Sequence, residues 1–137
     1  MIWMVGHDPV RWHIDPLTAA RTGKPNDYLV APKGMAAARL DRVTASVAGT
    51  PEALAGRLHE AALAEPRVEV VAGGPATGFT TYVQRSAIFG FPDYVSVRAI
   101  TVTDGAALAI WSRSRFGYSD LGVNKARVER WLSAVMP

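Results

Sequence analysis

Between Ser112 and Arg127 the chain sets hydroxyls, guanidiniums, a carboxylate and an amide at close spacing: Ser112, Ser114, Arg115, Tyr118, Ser119, Asp120, Asn124 and Arg127. Several kinds of chemistry use such a set. Arginines beside the free N–H groups of a helix start hold anions such as phosphate or carboxylate. A carboxylate between two arginines, here Asp120 between Arg115 and Arg127, suits a base or orienter in a hydrolase or transferase acting on an anionic substrate. The same residues can also satisfy one another: Asp120 paired with Arg115 or Arg127, Asn124 capping a helix, Ser119 closing a turn. One of these outcomes is required, because each polar group costs free energy if buried without a partner.

Other chemistry finds less support. There is no cysteine, which excludes disulfides, thiol nucleophiles and thiolate metal sites. Serines are plentiful, but no nucleophile-elbow pattern occurs and no histidine lies near the polar run, so no catalytic residue is assigned. Phosphate-binding glycine motifs are absent. His7, Asp8, His13 and Asp15 gather histidine and carboxylate in one segment, at a spacing that fits no metal motif. They read as surface or partner-facing groups, with no metal and no cofactor expected. His59 reads as an exposed mid-helix residue. Tyr82, Tyr94 and Trp111 with two arginines are the material of a stacking platform, but the net charge of +3 is modest and nucleic acid is not the expected partner.

The elements that must position the polar run follow from periodicity. Residues 1–42 show no sustained period and are punctuated by Pro9, Pro16, Pro25 and Pro32. They read as an extended N-terminal arm that wraps its own domain or lies on a partner, with Trp3, Trp12, His13 and Tyr28 as contact residues. The α+β domain occupies 43–137. Val43, Ala45 and Val47 alternate as a strand. Thr50-Pro51-Glu52 starts a helix with a hydroxyl cap, a proline and an acid, and Pro66 stops it. Strands follow at Val68–Ala72, Phe79–Ser86, Tyr94–Val102 and Ala107–Arg115, with Asp104-Gly105 as a hairpin signal. A last helix begins near Asn124, with Val128, Trp131, Leu132 and Val135 on one face. The expectation is a single antiparallel sheet with two helices on one face, in the order strand, helix, four strands, helix. That order is similar to helix-grip and TATA-binding-protein-like folds. Strand alternation puts Ser112, Ser114 and Phe116 on one face with Leu108 and Ile110, and Arg113 and Arg115 on the other with Trp111.

The spacing S-x-S-R-x-G-x-S-D-x-G-x-N-x-x-R over Ser112–Arg127 resembles the signature of the bacterial and plastid family called domain of unknown function 1499. The resemblance continues upstream: Asp93 and Arg98 match polar positions around Phe91–Arg98, and Pro25-Asn26 matches an early proline–asparagine. It departs where Trp111 replaces a frequent arginine and Asp27-Tyr28-Leu29-Val30 replaces cysteine and serines. Relatives often carry a membrane anchor or export signal just upstream of such a start. The resemblance therefore implies a bacterial protein that is membrane-associated or periplasmic if an anchor has been removed, and otherwise cytoplasmic. No apolar run in the sequence reaches the roughly 20 residues of a bilayer span.

The leading expectation is an uncharacterised, envelope-associated binding or accessory module, docking on a larger membrane-bound assembly through the arm. The basic stretch from Arg113 to Arg130 would attract an anion, a lipid headgroup or an acidic partner. The alternatives are the hydrolase or transferase described above, and a carrier of an apolar or lipid ligand. The carrier requires an enclosed apolar cavity between sheet and C-terminal helix.

Overall fold

In the computed structural model, Trp3 and residues 5–136 are described; Met1, Ile2 and Met4 of the apolar start, and Pro137, lie outside them. The elements run α1 (Pro9–Trp12), β1 (Asp27–Ala31), β2 (Arg42–Val43), α2 (Pro51–Ala64), β3 (Val68–Gly74), β4 (Phe79–Arg85), β5 (Pro92–Val102), β6 (Gly105–Ser114) and α3 (Val123–Val135). A 3₁₀ turn at Pro75–Thr77 joins β3 to β4. The strands form one sheet in the order β2-β1-β6-β5-β4-β3. β3 to β6 are the expected antiparallel meander.

Two features differ from expectation. The stretch read as an arm contributes β1, which pairs antiparallel with β6 through Tyr28 opposite Ser112 and Leu29 opposite Trp111. β1 in turn pairs parallel with β2, so the sheet is mixed and not wholly antiparallel. The strand expected over Val43–Val47 shrinks to two residues plus one bridge, Val47 to Ala106. The observed chain order is two strands, helix, four strands, helix.

α2 and α3 cover one face of the sheet. α2 begins where Thr50 accepts a hydrogen bond from the Ala53 amide at 3.1 Å. It buries Leu54, Ala55, Leu58 and Ala62, and α3 buries Val128, Trp131, Leu132 and Val135. These pack on Tyr28, Val30, Tyr82, Val95, Leu108 and Ile110 from the sheet. Burial of this many large apolar side chains is the main stabilising contribution.

The opposite face is covered by the N-terminal segment. Trp12 stacks on Tyr94 with ring centres 4.0 Å apart, and Val83 packs beside them. Ala19, Leu29 and Trp111 form a second apolar group there, backed by Ile14 and Leu40. The arm thus wraps its own domain, and the sheet is the middle of three layers. No described helix is long and apolar enough to cross a membrane.

Candidate functional site

The polar run folds into a corner where β6 ends, a loop turns over residues 115–122, and α3 starts. Ser112 points to the helix face, as its alternation with Leu108 and Ile110 requires. Its hydroxyl donates to Asn124 Oδ1 at 2.5 Å. The Asn124 amide nitrogen donates to Asp120 Oδ2 at 2.7 Å, and to Ser114 Oγ and the Asn26 carbonyl at 3.0 Å each. Arg127 lies one turn further along α3 and reaches back. It donates to Gln84 Oε1 (2.6 Å), Asn124 Oδ1 (2.9 Å), Ser112 Oγ (3.1 Å) and Asp93 Oδ2 (2.9 Å).

Asp120 is the organiser of the helix start. Its carboxylate accepts from the amides of Gly122 (2.8 Å) and Asn124 (3.1 Å), two donors the helix cannot satisfy itself. The N-cap position is held by Gly122 with φ of 83°, not by Asn124, which sits inside the first turn with its side chain buried. Ser119 Oγ accepts from the Leu121 amide at 3.3 Å, a turn contact. Neither Arg115 nor Arg127 pairs with Asp120 in a salt bridge.

In front of this corner lies an open cleft of about 310 Å³. Its polar floor is Asp93, Ser114, Ser119 and Asp120, with Ser86 at one side; Phe91, Phe116 and Val123 supply apolar wall. Burial pushes the Asp93 carboxyl above its usual range, against the opposing pull of Arg127, and the Asp120 charge adds to the rise. The cleft therefore presents two carboxylates, of which one is destabilised as an anion, beneath aromatic rims. A larger groove of about 460 Å³ lies at the other end of the molecule, between Thr44–Val47 and Leu132–Met136. It is a surface groove beside α3. Beneath α3 the space facing the sheet is filled by Val128, Trp131 and Leu132, where a lipid carrier would need it empty.

A family model described as a protein of unknown function (DUF1499) matches residues 18–135. The chain belongs to this family. The match spans both the polar corner and β1, the strand that the corner grips. A solved structure, protein MLL2253 from Mesorhizobium loti, is similar with a TM-score of 0.51 and 14% sequence identity, covering 68% of this chain and 90% of that one. At that identity the likeness shows the fold alone. A search of curated proteins finds no match.

Within this DUF1499 protein the other expected site residues go elsewhere. Arg115 leaves the corner for the opposite face, donating to the Gly6 carbonyl (2.7 Å) and the Tyr94 hydroxyl (3.0 Å). Strand alternation is the cause: Arg115 falls on the face of Arg113, away from Ser112 and Ser114. Arg98 pairs with Asp15 at 2.6 Å and does not approach Asp93. Tyr118 stands out from the loop into solvent. The arm residues expected to meet a partner are occupied within the chain. Trp12 and Tyr28 are buried, Tyr28 donates to Glu129 at 2.9 Å, and His13 stacks on Phe79 and shares a 2.7 Å hydrogen bond with Thr81. His7 bonds Tyr94, and His59 bonds Tyr82, so neither is a free surface imidazole. Tyr82, Tyr94 and Trp111 are buried and offer no stacking platform. Trp3 alone of the four arm residues stays substantially exposed.

Two corner members were not anticipated. Gln84 is buried on β4, accepts from Arg127, and donates to Glu65 Oε1 and the Pro66 carbonyl at 3.1 Å each. A glutamine two positions from Tyr82 on an inward-facing register was its only sequence signal. Asn26 donates to the Gly117 carbonyl at 3.0 Å and accepts from Thr22, while its own carbonyl receives Ser114 N and Asn124 Nδ2. The early proline–asparagine thus clamps the N-terminal segment to the corner. A separate buried network lies on the arm face. Arg113, almost fully enclosed, donates to Ser96 Oγ (2.9 Å) and to the Trp111 and Trp12 carbonyls, with no carboxylate partner. Burial pushes its guanidinium down to about 9.

Proposed function

We propose that this protein is a non-enzymatic binding module of the bacterial envelope, and that it binds through the cleft between residues 86–91 and 115–123. The observation that carries the reading is the saturation of the corner. Arg127 spends its guanidinium on four internal acceptors and Asp120 spends its carboxylate on the helix start. The residues expected to bind an anionic substrate are thus engaged in holding β1, β6 and α3 together. What the cleft offers outward is acceptor oxygen on its floor and aromatic carbon on its walls. That combination suits a ligand with an apolar body and a hydrogen-bond-donating head. An envelope location is part of the proposal, supported by exposed apolar side chains gathered around the cleft mouth.

The test is native mass spectrometry of the full chain, purified without detergent under mild conditions. A bound mass is expected, and the Phe91→Ser/Phe116→Ser variant should lose it while keeping its melting temperature. A bare protein under all conditions would sink the reading. One observation favours the runner-up, an enzyme: burial raises the Asp93 carboxyl, as in a carboxylic acid that serves as a proton donor. A turnover that disappears in Asp93→Asn, with folding intact, would establish that alternative.

A further inference from the structure

Exposed large apolar side chains are concentrated at the cleft end of the molecule. Ile88 and Phe89 crown the β4–β5 loop, and Tyr118 and Leu121 crown the β6–α3 loop, with Phe91 and Phe116 between them. The tips project well clear of the surface: Leu121 is 93% exposed, Ile88 79% and Tyr118 70%. Trp3 joins the same end, resting against Gly90 and over the Arg85 guanidinium. Leu121 holds a left-handed backbone, φ 54°, a region where leucine is strained and asparagine is tolerated. An apolar side chain kept at full exposure on a strained backbone points to a use outside the fold.

Lys24, Arg67 and Lys125 are exposed basic side chains on the segments that flank these loops, with the exposed acid Glu69 close to Arg67. Asp93 and Asp120 line the cleft itself. Several amides beside the loop tips are satisfied locally. The amides of Gly90 and Phe91 return to Ser86, the amides of Leu121 and Gly122 to Ser119 and Asp120, and the amide of Asp120 to the Pro25 carbonyl.

We propose that this end docks on an anionic bilayer surface, with Ile88, Phe89, Tyr118 and Leu121 entering the headgroup–acyl boundary and the flanking lysines and arginine meeting lipid phosphate. Separate projecting tips suit a deformable lipid interface better than the flat, close-packed core of a protein interface. Aromatic and branched apolar tips with basic residues near by are the composition of interfacial segments. Docking also sets the cleft mouth at the depth where a lipid headgroup or a lipid-borne ligand enters it. The proposal deepens the binding-module reading and rests on it for the use of the cleft.

The experiment is flotation of the full chain with vesicles of phosphatidylcholine, with and without phosphatidylglycerol. The wild type should partition onto the mixed vesicles at least about tenfold better than onto the neutral ones, less so as salt is raised. The Phe89→Ser/Leu121→Asn variant should lose about tenfold or more. Its melting temperature should not fall, because asparagine fits the backbone at position 121 better than leucine. Lys125→Gln and Lys24→Gln should each weaken binding roughly fivefold. Val10→Ser, an exposed apolar position on α1, should change nothing. Absence of flotation with either vesicle overturns the proposal, and so does full retention by Phe89→Ser/Leu121→Asn. A lipid-independent dimer that the same variant dissolves would make this face a protein interface, and also overturns it. If docking fails while native mass spectrometry still finds a ligand sensitive to Phe91 and Phe116, only the docking falls. If both fail, the binding-module reading falls with it.

Discussion

Arg127 is nearly enclosed, yet a single carboxylate, Asp93, balances its charge; the oxygens of Gln84, Ser112 and Asn124 take the remaining donors. Removing one member of a buried pair leaves the other charged and uncompensated, and costs more than the pair contributes. Asp93→Ala should therefore destabilise the protein by about 3 kcal/mol, read as a lowered urea midpoint with an unchanged slope. Asp93→Asn should cost less, because its amide oxygen still accepts from Arg127. A midpoint unchanged in Asp93→Ala would show that the neutral oxygens alone hold the guanidinium. At this scale the sequence showed that Arg127 could reach the corner, since it falls one turn after Asn124. It marked Asp93 as a polar position but did not join it to Arg127, because Asp93 stands 34 positions earlier and arrives on a neighbouring strand.

Among the elements, α2 and the β3–β6 meander follow local pattern closely. The proline-marked helix start, the alternating strands and the turn near Asp104-Gly105 are short-range signals. The weak point was residues 27–47. Asp27–Ala31 is five residues long and buried on both faces of the sheet, so it shows none of the alternation that marks a half-exposed strand. Val43 to Val47 alternate but pair at only two places. The Val47 bridge depends on Gly105, whose φ is 139° and where an added Cβ would stand 2.0 Å from the Val47 carbonyl oxygen. Gly105→Ala should cost about 2 kcal/mol and speed hydrogen exchange at the Val47 amide, leaving the amides of β3 and β4 unaffected. Equal exchange at Val47 would mean that the bridge survives the substitution.

The whole molecule is a sheet held between helices and its own N-terminal segment, and the second of these contacts holds two part-buried imidazoles, His7 and His13. Burial, then Arg85 and Arg115, hold the His7 imidazole below its usual range; Glu69 opposes them. Burial, then Arg113, do the same for His13, opposed by Asp15. The unfolded chain protonates these imidazoles near pH ~6.5, while the folded protein resists until lower pH. Between those two values the unfolded state binds more protons, so stability falls as pH drops from the unfolded value through the folded ones. The melting temperature should decline between about pH 7 and pH 5, and His7→Gln/His13→Gln should flatten the decline. A profile as steep in the double variant as in the wild type would assign the loss to other groups.

Local pattern decided the class of the domain, the placing of most strands and both long helices, the two faces of β6 and the position of the polar run at a strand-to-helix corner. All of these depend on residues within a turn or a strand of one another, where periodicity and capping act. Tertiary structure alone decided how the corner is used. Asn26, Gln84 and Asp93 come to Asn124 and Arg127 from three different strand ends, and no spacing along the chain encodes that meeting. The arm was decided in the same way. Trp12 is an aromatic in an unpatterned segment until Tyr94 and Arg113 give it a surface to cover. What was read as a set of reactive groups is, once folded, the clasp that closes β1, β6 and α3 beneath an open cleft.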